Sequence, residues 1–347
     1  MNSDWGIFKL QLAALGGLLF LSLTVTWVIL YYVRLLDHPN ERSSHELATP
    51  KCGGVGVVVS FIAGVYLSQL WGERCLVKPA VLYSLIVPVL LVASVSLADD
   101  IQELPPKFRL LVQVVAALLF LVMIGAANLS NERGALTYAI QGLFWLGEVL
   151  WMVGMANAFN FMDGIDGLAA GQGLIVSFFF SIIQIGQGEC FLGFTTLVLM
   201  VGCLGFLAFN FPPAKVFMGD VGSVSIGFIL AALAVISYQK HPTLETLLIM
   251  PLLMSNFIFD TVATFTRRLI KKECVFEAHR SHFYQKYASC GFSQRTVTMT
   301  NYGMAIVQGI VVLLEIDKPH TALALCMIIQ IIYSSIVNKR YEKLTEL

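Results

Sequence analysis

Charge is what this chain lacks. Of its 347 residues only 13% are charged, and 22 basic side chains balance 22 acidic ones to a formal net charge of +0. Such a chain has no electrostatic footprint for a polyanion, which excludes nucleic acid as a partner. Cys52, Cys75, Cys190, Cys203, Cys274, Cys290 and Cys326 are scattered and form no CxxC pair. Several lie inside apolar runs, where cysteine packs as a small hydrophobe, so no disulfide framework is expected. Repeats, low-complexity tracts and separate soluble domains are missing as well. The longest polar segment, 267–295, is too short to fold alone. The first apolar run, 7–32, has no basic leader and exceeds a signal-peptide core, so it is expected to stay in place as a membrane helix.

Apolar length is what the chain has. Hydrophobic residues make up 57% of it, and the mean hydropathy is +0.77. These values predict an all-α polytopic membrane protein, with 1–347 a single integral-membrane domain. About eleven runs approach the length needed to span a bilayer: 7–32, 55–70, 80–97, 110–126, 136–155, 168–186, 191–209, 221–238, 244–266, 297–315 and 321–337. Lys and Arg set the orientation. Loops after the even-numbered runs, with the N-terminal segment, hold only Lys9, Arg74, Lys78, Arg133, Lys240 and Lys318. The other 16 of the 22 basic residues fall in the alternate loops and the C-terminal tail. That face is expected to be cytoplasmic, with the N-terminus outside and the C-terminus inside.

The same face carries every unusual polar cluster, in loops 34–54, 98–109, 157–167, 210–223 and 267–296, which predicts one site built from five loops. The central stretch, NAFNFMDGIDGLAAG at 157–171, repeats Asn157, Asn160, Asp163 and Asp166 at every third residue. A helix continued to Met162 would align the first three on one side. Gly164 and Gly167 then let the chain turn. Asn and Asp also favour turns in their own right, but polar groups at the mouth of a membrane helix are costly unless they bind something. An EF-hand-like calcium loop does not fit, since its third and twelfth positions would be Ile165 and Leu174.

Asp99 and Asp100 end a long apolar run. Adjacent carboxylates repel, and so call for a cation or a shared proton, unless the pair is a solvated helix end. Lys107 and Arg109 follow and are placed to meet an anion. Asp220, in FMGDVGS, is either a plain N-cap or a magnesium ligand beside exposed glycine N–H groups. Gly53-Gly54 would offer N–H groups to phosphate in the same way. His279 and His282, three apart, would share a helix face beside Arg280 and contact phosphate. Zinc held with Cys274 fits the usual spacings less well. The segment also suits anionic lipid.

Taken in order, DHPNERSSHELATPKCGG at 37–54, Asp99-Asp100 with Lys107, NAFNFMDGIDGLAAG and FMGDVGS resemble the signature loops of the polyprenyl-phosphate N-acetylhexosamine-1-phosphate transferases, over about 37–291. The fifth loop departs from the HIHH or HHH pattern and reads HRSHFYQ. In that form it is similar to the branch that initiates O-antigen synthesis with UDP-N-acetylfucosamine or UDP-N-acetylquinovosamine. The resemblance implies a bacterial inner-membrane enzyme that passes an N-acetylhexosamine 1-phosphate, of those types or GlcNAc, from a UDP-sugar to undecaprenyl phosphate, releasing UMP. It implies Mg2+, for which Mn2+ is a compatible substitute, on Asp220 with Asn160. Asp99, Asp100, Asp163, His279 and His282 would be catalytic. Arg42, Lys51, Gly53, Gly54, Lys107, Asn157, Asn160, Asp166 and Arg280 would bind substrate, with Phe283, Tyr284 and Gln285 sorting the sugars. A homodimer is a compatible assembly. A transporter of lipid-linked sugar would instead place charges at mid-membrane on broken helices. A lipid diphosphate phosphatase would need no nucleotide site.

Overall fold

The computed structural model describes residues 2–33, 35–37, 48–70, 77–128, 135–273 and 280–345. Apolar sequence without water leaves the backbone to satisfy itself, and helices do so within one segment. The described chain is accordingly helical: α1 (Asn2–Tyr32), α2 (Val55–Leu67), α3 (Pro79–Gln102), α4 (Pro106–Asn128), α5 (Ala135–Met162), α6 (Leu168–Gly186), α7 (Cys190–Asn210), α8 (Asp220–Lys240), α9 (Leu244–Leu253), α10 (Ser255–Ile270), α11 (Phe283–Ser289), α12 (Gln294–Leu314) and α13 (Pro319–Thr345). A two-residue antiparallel ribbon, β1 (Leu36–Asp37) with β2 (Thr49–Pro50), is the exception among the described residues. Proline opens α3, α4 and α13, where its missing N–H costs nothing.

The helix α8 is the axis of the bundle. It is buried without interruption from Val221 to Leu233 and packs against α3 and α5. Small residues set its approach distances. A Cβ on Gly54 would lie 2.3 Å from the Gly222 Cα, and one on Gly227 would lie 2.4 Å from the Met155 carbonyl oxygen. The α2–α8 and α5–α8 contacts are therefore backbone against backbone. On the outside, Phe20 of α1, Leu118 of α4 and Ile332 of α13 are exposed, as expected of side chains facing hydrocarbon.

Nine helices among the described residues are long and apolar enough to cross a membrane, and a bent pair would make a tenth. The protein is thus an all-α, multi-pass membrane protein, and two of the eleven apolar runs behave differently from the rest. The run at 55–70 is a 13-residue helix closed by a 3-10 turn, Ser68–Leu70. The run at 244–266 breaks at Met254 into α9 and α10, bent by 76°. Pro251 removes a backbone donor near the break. Just beyond it, Asn256 forms a two-way amide pair with Gln172 of α6, at 2.8 and 2.9 Å. Cysteine also departs from expectation: Cys190 is disulfide-bonded, its partner lying outside the described residues.

Candidate active site

The chain brings the described residues of the polar clusters to one end of the bundle, where α3, α5, α7 and α10 finish and α4, α6, α8 and α12 begin. Two clefts open there. The first, about 330 Å³, is lined by Lys51, Asp100, Asn160, Asp163, Asp166 and Asp220. The second, about 500 Å³, runs between α3, α4, α5, α8 and α10. Its walls include Val92, Val95, Leu110, Val224 and Phe265, and its polar end carries Arg109, Arg268 and His282. Asn160 and Asp220 line both clefts.

The adjacent aspartates divide their work. Asp99 accepts the Leu104 N–H at 2.6 Å and an Arg109 guanidinium N–H at 2.6 Å. The same Arg109 nitrogen donates to Asp220 at 2.9 Å, so one cation bridges two carboxylates. Asp100 accepts the backbone N–H groups of Asp220 and Val221, each at 3.0 Å, and so caps α8 from the far end of α3. Asn160 donates to Asp220 at 2.8 Å and to Ser223 at 3.2 Å. Its amide oxygen accepts no hydrogen bond among the described residues.

Asp163 follows the end of α5 directly. Its carboxylate accepts no hydrogen bond among the described residues. Burial, then the negative charges of Asp220, Asp100 and Asp166, push this carboxyl well above the usual carboxylate range. An acid held in that way is stabilised by any cation that enters the cleft. Among the described residues no three His, Cys, Asp or Glu side chains form a complete metal cage. Magnesium does not require one, because it takes one or two carboxylates and completes its shell with phosphate oxygens and water. Asp220, the unpartnered Asp163 and the free amide oxygen of Asn160 fit that demand.

Several expectations are corrected. The Gly53 and Gly54 N–H groups do not await phosphate, because they donate to the Phe217 and Met218 carbonyls at 2.9 Å each. Nor does α8 open with bare donors, since Asp100 takes two of them and Gly219 O accepts the Gly222 and Ser223 N–H groups. Lys107 is exposed and lines neither cleft, and Arg109 occupies the place expected of it. His282 does not sit on a helix face; it is the extended N-cap of α11. Phe283 and Tyr284 are buried at 5% and 1% exposure, too enclosed to sort sugars, and the Tyr284 hydroxyl donates to the Phe161 carbonyl. Gln285 does line the second cleft.

Asn157 lines the second cleft too, and its amide donates to Gln113 and to the Val153 carbonyl. Asp166 lines the first cleft, and its carboxylate accepts the Ala214 N–H at 2.8 Å, anchoring the 211–214 turn. Arg280 is exposed. Arg42, His279 and Cys274 lie outside the described residues.

Arg268 and Asp260 are additions to the expected site. Asp260 had a legible signal, an acid inside a predicted membrane run, which marks a functional position by default.

Known proteins resemble the chain over much of its length. The pattern of glycosyl transferase family 4 matches residues 82–238. An undecaprenyl-phosphate alpha-N-acetylglucosaminyl 1-phosphate transferase of Thermotoga maritima is 30% identical over 269 residues, covering 78% of each chain. A probable undecaprenyl-phosphate N-acetylglucosaminyl 1-phosphate transferase of Bacillus subtilis is 29% identical, covering 77% of this chain and 73% of the relative. A phospho-N-acetylmuramoyl-pentapeptide-transferase of Enterococcus hirae is 28% identical, covering 77% and 84%. The chain belongs to the polyprenyl-phosphate N-acetylhexosamine-1-phosphate transferases of glycosyl transferase family 4.

Proposed function

We propose that this enzyme transfers N-acetylhexosamine 1-phosphate from a UDP-sugar to undecaprenyl phosphate. The observation that carries the reading is the pair of clefts, one acidic and one largely apolar, meeting at Asn160 and Asp220. The acidic cleft suits a magnesium–diphosphate complex of the donor. The apolar groove suits the prenyl chain, with its phosphate at the end that carries Arg109, Arg268 and His282. An oxygen of that phosphate attacks the phosphorus bonded to the sugar. The bond to the UMP oxygen breaks, giving undecaprenyl diphosphate sugar and UMP. Magnesium on Asp220, with Asp163 and Asn160, would neutralise the diphosphate charge. The protein's own part is positioning and charge. Arg109 and Arg268 hold anionic oxygens, Asp99 aims Arg109, and Asp100 fixes the start of α8 and therefore Asp220. Phosphoryl transfer needs little more from side chains.

The donor's sugar follows from two unequal hints. Relatives named for N-acetylglucosamine make UDP-GlcNAc the first donor to test. The HRSHFYQ loop favours an O-antigen enzyme using UDP-N-acetylfucosamine or UDP-N-acetylquinovosamine. The site faces the cytoplasm of a bacterial inner membrane. The basic asymmetry supports that orientation, and so does Cys190. It begins α7, whose other end reaches the site at Asn210, and disulfides persist on oxidising faces. The α9–α10 break is a feature of transporters, but the acids here gather at one end of the bundle, which favours the enzyme.

The test is purified protein with a panel of UDP-N-acetylhexosamines. UMP release that requires both undecaprenyl phosphate and Mg2+, and that Asp220→Asn nearly abolishes, is the expected result. Release without the lipid, or full activity in Asp220→Asn, refutes the proposal. For orientation, a cysteine at Lys240 should label from outside and one at Lys107 should not.

A further inference from the structure

Asp260 lies on α10 and is 4% exposed. Its Oδ1 is 2.9 Å from His282 Nδ1, and His282 is equally buried. The same carboxylate accepts the Phe283 N–H at 3.0 Å, the Tyr284 N–H at 3.2 Å and the Thr264 hydroxyl at 3.2 Å. With these donors converging on it, the carboxylate acts as an acceptor, so the imidazole must bring its own proton on Nδ1. The ring is also clamped. It stacks on Tyr284 with centroids 5.8 Å apart and tilts against Phe161 at 6.2 Å. The Tyr284 hydroxyl closes the clamp on the Phe161 carbonyl at 3.0 Å. His282 nevertheless lines the groove that holds Arg109 and Arg268.

We propose that Asp260 is a positioning residue: it holds the His282 imidazole with Nδ1 protonated and turns the Nε2 edge toward the groove that receives the lipid phosphate. The idea rests on the function proposed above. It assigns Asp260 no contact with substrate, only control over a side chain that makes one. A carboxylate on the far nitrogen of a working imidazole fixes both its tautomer and its aim.

Asp260 also caps α11, so loss of activity alone would not separate positioning from folding. A double-mutant cycle does. Asp260→Asn should lower kcat/KM about ten- to hundredfold in the wild-type background, the worth of one charge-assisted hydrogen bond. In a His282→Ala background it should lower kcat/KM no further, while still lowering the melting temperature, because the cap is lost in both. Multiplicative effects on kcat/KM would overturn the proposal. A second arm needs no turnover and no variant of Asp260. In protein labelled with 15N-histidine, the His282 signal, assigned by its loss in His282→Gln, should show a protonated Nδ1. An unprotonated Nδ1 overturns the proposal. A wild-type protein that releases no UMP from any donor would refute the function alone, and the spectrum would then decide the Asp260–His282 pair.

Discussion

Replacing Gly54 by alanine separates two explanations of the Gly53-Gly54 pair. If the pair served to bare N–H groups for phosphate, alanine would keep the donor and the activity. In the structure the added methyl meets only backbone: the Gly222 Cα at 2.3 Å, the Gly222 nitrogen at 2.7 Å and the Met218 carbonyl oxygen at 2.8 Å. None of these can rotate away. To pass from 2.3 Å to the 3.4 Å at which ordinary contact begins, the first turn of α8 must move by about 1 Å. Asp220 sits two residues before Gly222 and moves with it. Overpacking of this kind costs about 1–3 kcal/mol of stability. A misplacement of about 1 Å at a reacting centre costs about a hundredfold in rate. Gly54→Ala should therefore melt earlier in detergent and release UMP about a hundred times more slowly. The substrates would still bind, so the loss should fall on kcat more than on KM. Activity within threefold of wild type would refute the packing argument.

Three further perturbations follow. Asp163→Asn removes a carboxyl whose folded pKa is raised, so its ionised form opposes folding increasingly as pH rises above the unfolded carboxylate range. In EDTA at neutral pH the variant should melt higher than wild type, the gain should vanish near pH 4, and turnover should fall; a gain that grew toward acid would reverse the sign and sink the reasoning. Asp100→Ala deprives two N–H groups of α8 of their acceptor and should cost about 0.5–2 kcal/mol, read as a lower melting temperature; an unchanged one would deny the capping role. Reducing the Cys190 disulfide should cost about 2–4 kcal/mol, and Cys190→Ser should show the same loss and no response to reductant; a reductant effect that persists would place the sensitivity elsewhere.

Much of the architecture is legible in apolar length alone, because a run without charge has few ways to satisfy its backbone except as a helix. The end of α5 is legible as well: three polar residues at helical spacing followed by Gly164 mark where the helix stops, and it stops at Met162. The break at Met254 lies three residues after Pro251, which apolar length alone does not register, and beside the Asn256–Gln172 pair, whose members are 84 positions apart. Lys107 and Arg109 look equivalent in sequence. Both lie on α4, where two positions turn the side chain by about 200°, so one faces the acids and the other does not. The histidine spacing misled because α11 begins only at Phe283, so His282 precedes the helix that the spacing assumed. The glycine N–H groups misled because a strand-like pairing with 217–218 consumed them.

The walls of the second cleft carry one more consequence. Leu110 and Phe265 line it and are also 45% and 49% exposed, on the same outer surface that meets hydrocarbon. A groove open on that side would admit the proposed lipid acceptor sideways, without lifting it out of the bilayer. The quantity that saturates the enzyme is then the mole fraction of acceptor among the surrounding lipids, a two-dimensional concentration. Diluting the acceptor with inert phospholipid at constant bulk amount should slow turnover as surely as removing it.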